Sequence, residues 1–360
     1  MPSLEVSVAR VESRSTLLVG RGLIASIASI LSVEKHSTIA VVADSGAHVT
    51  TSALQKVLSL KDSQILTISG GEGQKSPDGL LTLWSFFHER QLDRRSLVIC
   101  VGGGASSDLV GFAAATYMRG IATANIPTTL LAQVDASIGG KSGINFKGVK
   151  NLIGSISQPK AVIIDIDSLA TLPPRELRSG YAEIIKHGLI QDAEYFAKAS
   201  SRPCESWSPD ELVDLVFRSC EIKKCVVEAD ESEQGLRKTL NFGHSIGHAI
   251  ESLSMRKGPT LTHGEAISIG MYGESFISYR LGKISEHELA IIERGLSGAG
   301  LPIRLSEPLS IQEIREALGR DKKNVGGAVK WTLLEKIGLA MFDVEIPEAL
   351  ITEALKRIQP

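Results

Sequence analysis

Short apolar runs rich in β-branched residues recur through the first half of the chain, at 38–42, 64–68, 97–101 and 161–166. Each stops at a polar or glycine-rich turn: Asp44, Ser69-Gly70-Gly71, Gly102-Gly103-Gly104 and Asp167. Between them, 80–92 and 108–117 carry apolar residues three and four apart, the spacing of one helix face. Near-continuous apolar strands are covered on both faces, so the pattern predicts a parallel sheet built from β-α-β units. Ligands of such sheets sit beyond the carboxyl ends of the strands, where Asp44, the Gly70-Gly71 turn and the triple glycine fall.

Beyond Leu172-Pro173-Pro174 the period changes. Segments 175–189, 209–227, 236–253, 264–281 and 286–296 repeat at helical spacing, and strand-like runs are nearly absent until 329–334. The expectation is an α/β domain over 1–172 followed by a mainly α-helical domain over 173–360. No solenoid repeat, low-complexity tract or long charge block interrupts either half, and 200–203 is a short loop.

Composition sharpens this only slightly. At roughly 100–200 residues per domain, 360 residues suit two domains, and 43% hydrophobic with 22% charged residues excludes a disordered chain. Lys and Arg total 39 against 41 acidic residues, and a net charge of −2 offers no general attraction for nucleic acid or an anionic membrane. An anionic ligand must therefore be met by a local cluster of cations. No stretch reaches the ~18 apolar residues of a membrane span, and Met1-Pro2-Ser3-Leu4-Glu5 does not begin a secretory signal, so the chain reads as cytoplasmic. Cys100, Cys204, Cys220 and Cys225 are too scattered for a disulfide framework or a CxxC zinc pair; Cys220 and Cys225, five apart, read as helix packing.

Candidate chemistry gathers at three places. In Gly102-Gly103-Gly104-Ala105-Ser106-Ser107-Asp108, a strand passes through glycines into a helix, where backbone N–H groups can approach a phosphate; Ser107 makes it a degenerate GxGxxG, and a tight structural turn is the competing reading. Asp44 suits ribose hydroxyls, favouring NAD over NADP, or a helix cap. Gly71-Glu72-Gly73-Gln74-Lys75 is either a phosphate-reaching loop or a solvated one. In the second half, His244 and His248 lie four apart on one helix face, His263-Gly264-Glu265 opens the next helix, and Glu183 stands with Lys186 and His187. Carboxylate and imidazole without cysteine suit a catalytic Zn²⁺, and spacing alone selects His244 and His248 as co-ligands. The third place is basic: Arg119, Lys141, Lys150-Asn151, Lys223, Arg237 and Lys322-Lys323 are either solvated charges or a converging anion site.

Together these segments resemble the 3-dehydroquinate synthase family of sugar phosphate cyclases. The matching text is GGGASSDLVGFAAATYMRG from Gly102, IPTTLLAQVDASIGGKSGIN from Ile126, KNLIGSISQPKAVIIDIDSLATLP from Lys150, GYAEIIKHGLI from Gly180, LNFGHSIGHAIES from Leu240, HGEA from His263 and DKKN from Asp321. The resemblance spans essentially the whole chain in order. It implies a Rossmann-like N-terminal domain, a helical C-terminal domain and an active site in the cleft between them. It also implies bound NAD, a divalent metal (Zn²⁺, with Co²⁺ as alternative) and a homodimer.

Residue by residue, the resemblance implies metal ligation by Glu183, His244 and His263, which overrules the spacing choice of His248. NAD would be held by Asp44, Glu72, Lys75, Gly103, Gly104, Asp108, Thr128, Thr129, Lys141, Lys150 and Thr171. Substrate would meet Arg119, Asp135, Lys141, Asn151, Lys186, Lys223, Arg237, Asn241, His248 and Lys322, with Arg119 acting across the dimer interface. The family usually has glycine where Ser107 stands and bulky aliphatics at Ala105 and Ser106. A serine there is expected to crowd the pyrophosphate or donate to it, altering NAD affinity. The stretch from His248 to His263 also runs slightly long for the family.

The activity implied converts 3-deoxy-D-arabino-heptulosonate 7-phosphate to 3-dehydroquinate and phosphate in the shikimate pathway. Its steps are transient oxidation by NAD, phosphate β-elimination, re-reduction, ring opening and an intramolecular aldol closure. A sibling cyclase acting on another sugar phosphate is the nearest rival, disfavoured by Asn241, His248 and Lys322-Lys323. A metal-dependent polyol dehydrogenase and a non-catalytic NAD-binding regulator are more distant.

Overall fold

The computed structural model describes residues 14–319 and 330–360. The first half builds β1 (Thr16–Gly20), α1 (Ile27–Leu31), β2 (Ile39–Asp44), α2 (His48–Leu58), β3 (Ile65–Ile68), α3 (Pro77–Glu89), β4 (Leu97–Gly102), α4 (Gly104–Thr116) and β5 (Ala122–Pro127). An antiparallel hairpin, β6 (Lys141–Phe146) and β7 (Val149–Ile156), precedes the last strand of the sheet, β8 (Ala161–Asp165). The six-stranded parallel sheet has the order β1-β8-β5-β4-β2-β3.

The apolar runs are explained by cover on both faces. Ala40 and Val42 of β2, with Val98 and Cys100 of β4, pack against Leu80 and Leu83 of α3 and Leu109 and Val110 of α4. Their neighbours Val41, Ala43, Ile99 and Val101 face Ile27 of α1 and Leu54 of α2. From β2 the chain crosses to β3 on one side, and from β4 to β5 on the other, so the strand order reverses between β2 and β4. A crevice opens there beyond the strand ends, and Asp44 and Gly102 stand on its two sides: a Cβ on Gly102 would lie 2.8 Å from the Asp44 Cβ.

The second half supplies α5 (Pro174–Gln191), α6 (Ala193–Ala199), α7 (Pro209–Ala229), α8 (His244–Lys257), α9 (His263–Arg280), α10 (Glu286–Gly298) and α11 (Ile311–Gly319), then the hairpin β9 (Trp331–Lys336) and β10 (Leu339–Val344) and α12 (Glu348–Arg357). Its core does not stop at residue 172: Val162 and Ile164 of β8, with Leu130 and Val134 after β5, join Tyr181, Ile184 and Ile185 of α5 and Leu215 of α7 in one buried cluster.

One expected helix is corrected. The segment 236–253 is divided: Leu236–Asn241 forms a 3₁₀ turn, Gly243 adopts φ 80°, and α8 starts only at His244. Gly243 is held there because a Cβ would come within 2.9 Å of the Ile267 carbonyl oxygen on α9. Strands β1 and β5 and the β6–β7 hairpin lay outside the predicted runs: β1 has only Leu17, Leu18 and Val19 between Thr16 and Gly20, Thr123 and Asn125 interrupt β5, and nearly every residue of β7 is exposed. No helix among the described residues is long and apolar enough to cross a membrane.

Candidate active site

Three helices converge on Glu183. It lies on α5, completely buried. The Nε2 atoms of His263 and His244 approach its Oε1 at 3.5 and 3.8 Å, and the three residues have ligand atoms within 4.8 Å of one another. The local sequence explains the convergence. Gly264 lets α9 sit directly on α5, since its Cβ would lie 2.0 Å from the Ser179 carbonyl oxygen, and its N–H donates to Ser179 Oγ at 3.0 Å. Thr262 and Glu265 form a capping box that starts α9 at His263, and Glu265 is gripped by Arg175 through both oxygens. The glutamate of the His-Gly-Glu motif is thus a cap, not a ligand. At the head of α8, the buried Glu274 carboxylate accepts the Gly243 and Ile246 N–H groups at 2.6 and 3.1 Å.

Among the described residues neither Glu183 oxygen has a hydrogen-bond donor at normal geometry; besides the two histidines, Lys186 one turn on forms an ion pair with it. A tetrahedral zinc with bonds of about 2.0–2.2 Å spaces its ligand atoms by roughly 3.3–3.6 Å, close to the separations observed, and this donor set fits such an ion. His248 stands apart from Glu183 and groups with Glu251 and His263, its ring 4.9 Å from that of His244.

On the sheet side, Asp44 ends β2 with Oδ1 accepting from Gly46 N–H at 2.9 Å and Oδ2 from Ser106 Oγ at 3.2 Å. Gly70 presses against that carboxylate, where a Cβ would clash at 2.1 Å. Gly103 is the N-cap of α4 and Gly104 its first residue. Thr128 N–H donates to the Gly102 carbonyl at 3.0 Å, and Thr129 Oγ1 accepts from Ala132 N–H at 3.2 Å. Lys75, 2% exposed, donates to Asp108 at 2.7 Å and to Asn151 at 2.5 Å, while Glu72 lies 3.6 Å from it. Thr171 closes the 3₁₀ turn beyond the end of β8. These groups line the strand ends and present a helix N-terminus suited to a dinucleotide's phosphates. The Ser107 hydroxyl donates to the Gly104 carbonyl at 2.9 Å, within the first turn of α4.

The cations gather between the two halves, each beside a carboxylate. Lys223 of α7 pairs with Asp135, Lys186 with Glu183, Lys141 with Glu233 and Lys150 with Glu251. Arg237, 4% exposed, donates to the Glu231 carbonyl at 2.8 Å, and Asn241 donates to Glu233 at 2.7 Å. Asp135, Glu183 and His187 bring oxygen and nitrogen atoms within 4.8 Å, so the sheet side and the helical side meet there. Arg119 does not join them. It is exposed past the far end of α4, whose 13 residues carry it about 20 Å from Gly104. Lys322, with Lys323, lies outside the described residues.

Family models for the 3-dehydroquinate synthase N-terminal and C-terminal regions match residues 65–179 and 180–324. A 3-dehydroquinate synthase from Methylacidiphilum infernorum is 41% identical over 94% of this chain and 94% of its own length. The chain belongs to the 3-dehydroquinate synthase family. Among solved structures, a 2-deoxy-scyllo-inosose synthase complexed with carbaglucose-6-phosphate, NAD⁺ and Co²⁺ superposes with TM-score 0.84 at 25% identity, over 95% of this chain and 96% of that one. A 2-epi-5-epi-valiolone synthase from Streptomyces hygroscopicus subsp. jinggangensis, with NAD⁺ and Zn²⁺ bound, gives TM-score 0.83 at 26% identity over 98% of both chains.

In this 3-dehydroquinate synthase family chain, burial and paired charge set the protonation of the site. Burial disfavours the Glu183 charge, but Lys186 and His263 outweigh it and hold the carboxyl at about 2. Burial, aided by Lys186, pushes His187 down to about 3, so it is neutral, with Nδ1 2.6 Å from Ser219 Oγ. Burial raises Asp108 to about 6 against the opposing Lys75 ammonium. Two acidic groups escaped the sequence reading. Glu233 is held by Lys141 and Asn241, and its signal was only its place four residues before Arg237. Glu251 closes the very motif that contains both histidines, yet its spacing suggested nothing beyond an ordinary helix residue.

Proposed function

We propose that this chain is a 3-dehydroquinate synthase, converting 3-deoxy-D-arabino-heptulosonate 7-phosphate to 3-dehydroquinate and phosphate with NAD as a catalytic, unconsumed cofactor. The observation that carries the reading is the Glu183, His244 and His263 cluster, facing a dinucleotide crevice across a belt of cations, in a chain 41% identical to a relative of that name over 94% of its length. The reading divides the chain into a cofactor-binding domain, 1–172, and a metal- and substrate-binding domain, 173–360.

Glu183, His244 and His263 would hold Zn²⁺ or Co²⁺, the ions named for the two structural neighbours. Asp44 would take the ribose hydroxyls and Gly103 and Gly104 the pyrophosphate, with Glu72, Lys75, Asp108, Thr128, Thr129, Lys141, Lys150 and Thr171 around them. When bound, the metal acidifies a substrate hydroxyl and the nicotinamide takes up and returns a hydride. The residues of the chain then bind and orient the substrate. Lys141, Lys186, Lys223 and Arg237 meet its carboxylate and phosphate, and Asn151, Asn241 and His248 fix its hydroxyls and phosphate oxygens. Asp135 keeps Lys223 charged by direct ion pairing, although burial lowers that ammonium's affinity for its proton. The departing phosphate's own oxygen can take the proton from the adjacent C–H as the C–O bond breaks, so the site needs no strong protein base, and the cations stabilise the phosphate as it leaves. Arg119, too far from its own site, serves the site of a second copy in a cytoplasmic homodimer, and the exposed Leu152 and Ile156, on one face of β7, offer an apolar patch for that copy.

The test adds the heptulosonate phosphate with trace NAD and Zn²⁺ and follows phosphate release together with NADH absorbance. Stoichiometric phosphate without net NADH is expected. Accumulating NADH would make the chain a dehydrogenase, and silence toward this substrate with turnover of another sugar phosphate would make it a sibling cyclase.

A further inference from the structure

We propose that Glu251 is a positioning residue that fixes the imidazole of His263 for metal ligation; this rests on the metal site proposed above. An imidazole offers one nitrogen to a metal when the other carries the proton, and an acceptor facing that second nitrogen sets tautomer and ring orientation. His244 has such an acceptor in the backbone: its Nδ1 lies 3.1 Å from the Phe242 carbonyl oxygen while Nε2 faces Glu183. For His263 a side chain takes that place. Its Nε2 faces Glu183 at 3.5 Å and its Nδ1 faces Glu251 Oε2 at 3.8 Å, an ion-pair separation, so the ring is suspended between two carboxylates.

Glu251 is itself held from the other side. It is 7% exposed, and its Oε1 accepts from Lys150 Nζ at 3.2 Å. Lys150 stands on β7 beside Asn151, which reaches Lys75 and through it Asp108 of α4. The orientation of a ligand on α9 is thereby tied to the hairpin that lines the cofactor side. The same geometry argues against Glu251 as a ligand of a second ion with His248 and His263: a cation there would sit against the Lys150 ammonium and compete for a ring already turned toward Glu183.

The experiment strips the protein with a chelator and measures Zn²⁺ affinity and stoichiometry by competition with a chromophoric chelator, and the d–d absorption of the Co²⁺ form. It compares wild type with Glu251→Gln and Glu251→Asp. Expected are one ion per chain throughout, affinity weakened about 10–100-fold in Glu251→Gln, and a Co²⁺ band changed in position or intensity. Glu251→Asp keeps the charge for Lys150 but withdraws it from His263, and an intermediate loss is expected with Tm close to wild type. Unchanged affinity and unchanged Co²⁺ spectra in both folded variants overturn the proposal. So does a wild type that binds two ions where Glu251→Gln binds one. A wild type that binds no divalent ion overturns the metal site itself, and this role with it.

Discussion

His263 begins a helix, faces two carboxylates and is a proposed ligand, so its loss separates chemistry from folding. His263→Ala is expected to abolish stoichiometric Zn²⁺ binding and phosphate release while leaving the circular dichroism spectrum unchanged; full zinc content with normal turnover would remove it from the ligand set. Arg237 tests the anion site. Arg237→Gln is expected to raise KM more than it lowers kcat, with kcat/KM falling ten- to a hundredfold, the roughly 1.5–3 kcal/mol of a charged hydrogen bond. Legibility at this scale followed chemistry more than spacing. The histidine pair pointed to metal, but helical spacing would have coupled His244 with His248, whereas the atoms facing Glu183 come from α8 and from α9, which Gly264 seats directly on α5. Contacts across elements leave no periodic trace in a sequence, which is why Glu233 and Glu251 were silent.

Helices place these groups, and their junctions are open to test. Gly264→Ala forces a methyl against the Ser179 carbonyl, where 2.0 Å is available. Overpacking of this kind costs about 1–3 kcal/mol, and a lower Tm together with weaker Zn²⁺ binding is expected, because α9 can relieve the clash only by moving His263 away from Glu183. A distant helix supplies the pH test. Glu211 in the capping box of α7 is held down to about 2 by the Ser208 N–H and by Arg202. A carboxyl depressed from its ordinary 4.5 stabilises the fold above that pH, and the contribution disappears as pH falls toward 2. Glu211→Gln should therefore melt below wild type at pH 7, with the gap in Tm narrowing between pH 4.5 and 2.5; a gap independent of pH would reassign the effect to packing. Elements were legible where one face or both were apolar, as in β2, β4, β8 and α9. The segment 236–253 misled because its apolar period continues through Gly243, and only the close approach of α9 shows that the backbone must break there.

At the scale of the molecule, α4 is a strut with its N-terminus at the cofactor crevice and Arg119 beyond its other end. If Arg119 serves a second copy, chains carrying Arg119→Ala and chains carrying Lys186→Ala, each inactive alone, should regain about a quarter of wild-type activity when mixed and reassorted, since half of the dimers then hold one complete site. No recovery would return Arg119 to its own chain. The parallel sheet and helical half were visible in the periodicity, and so was a change of texture at 172. What the texture concealed is that Val162 and Ile164 of β8 are sealed by Ile184, Ile185 and Leu215 from the other side of that point. A break in the chain between Leu172 and Pro173 would consequently not release two soluble modules. Each fragment would carry half of one apolar seam, the pieces would hold together only as a noncovalent complex, and neither half could be transplanted into another protein without its counterpart.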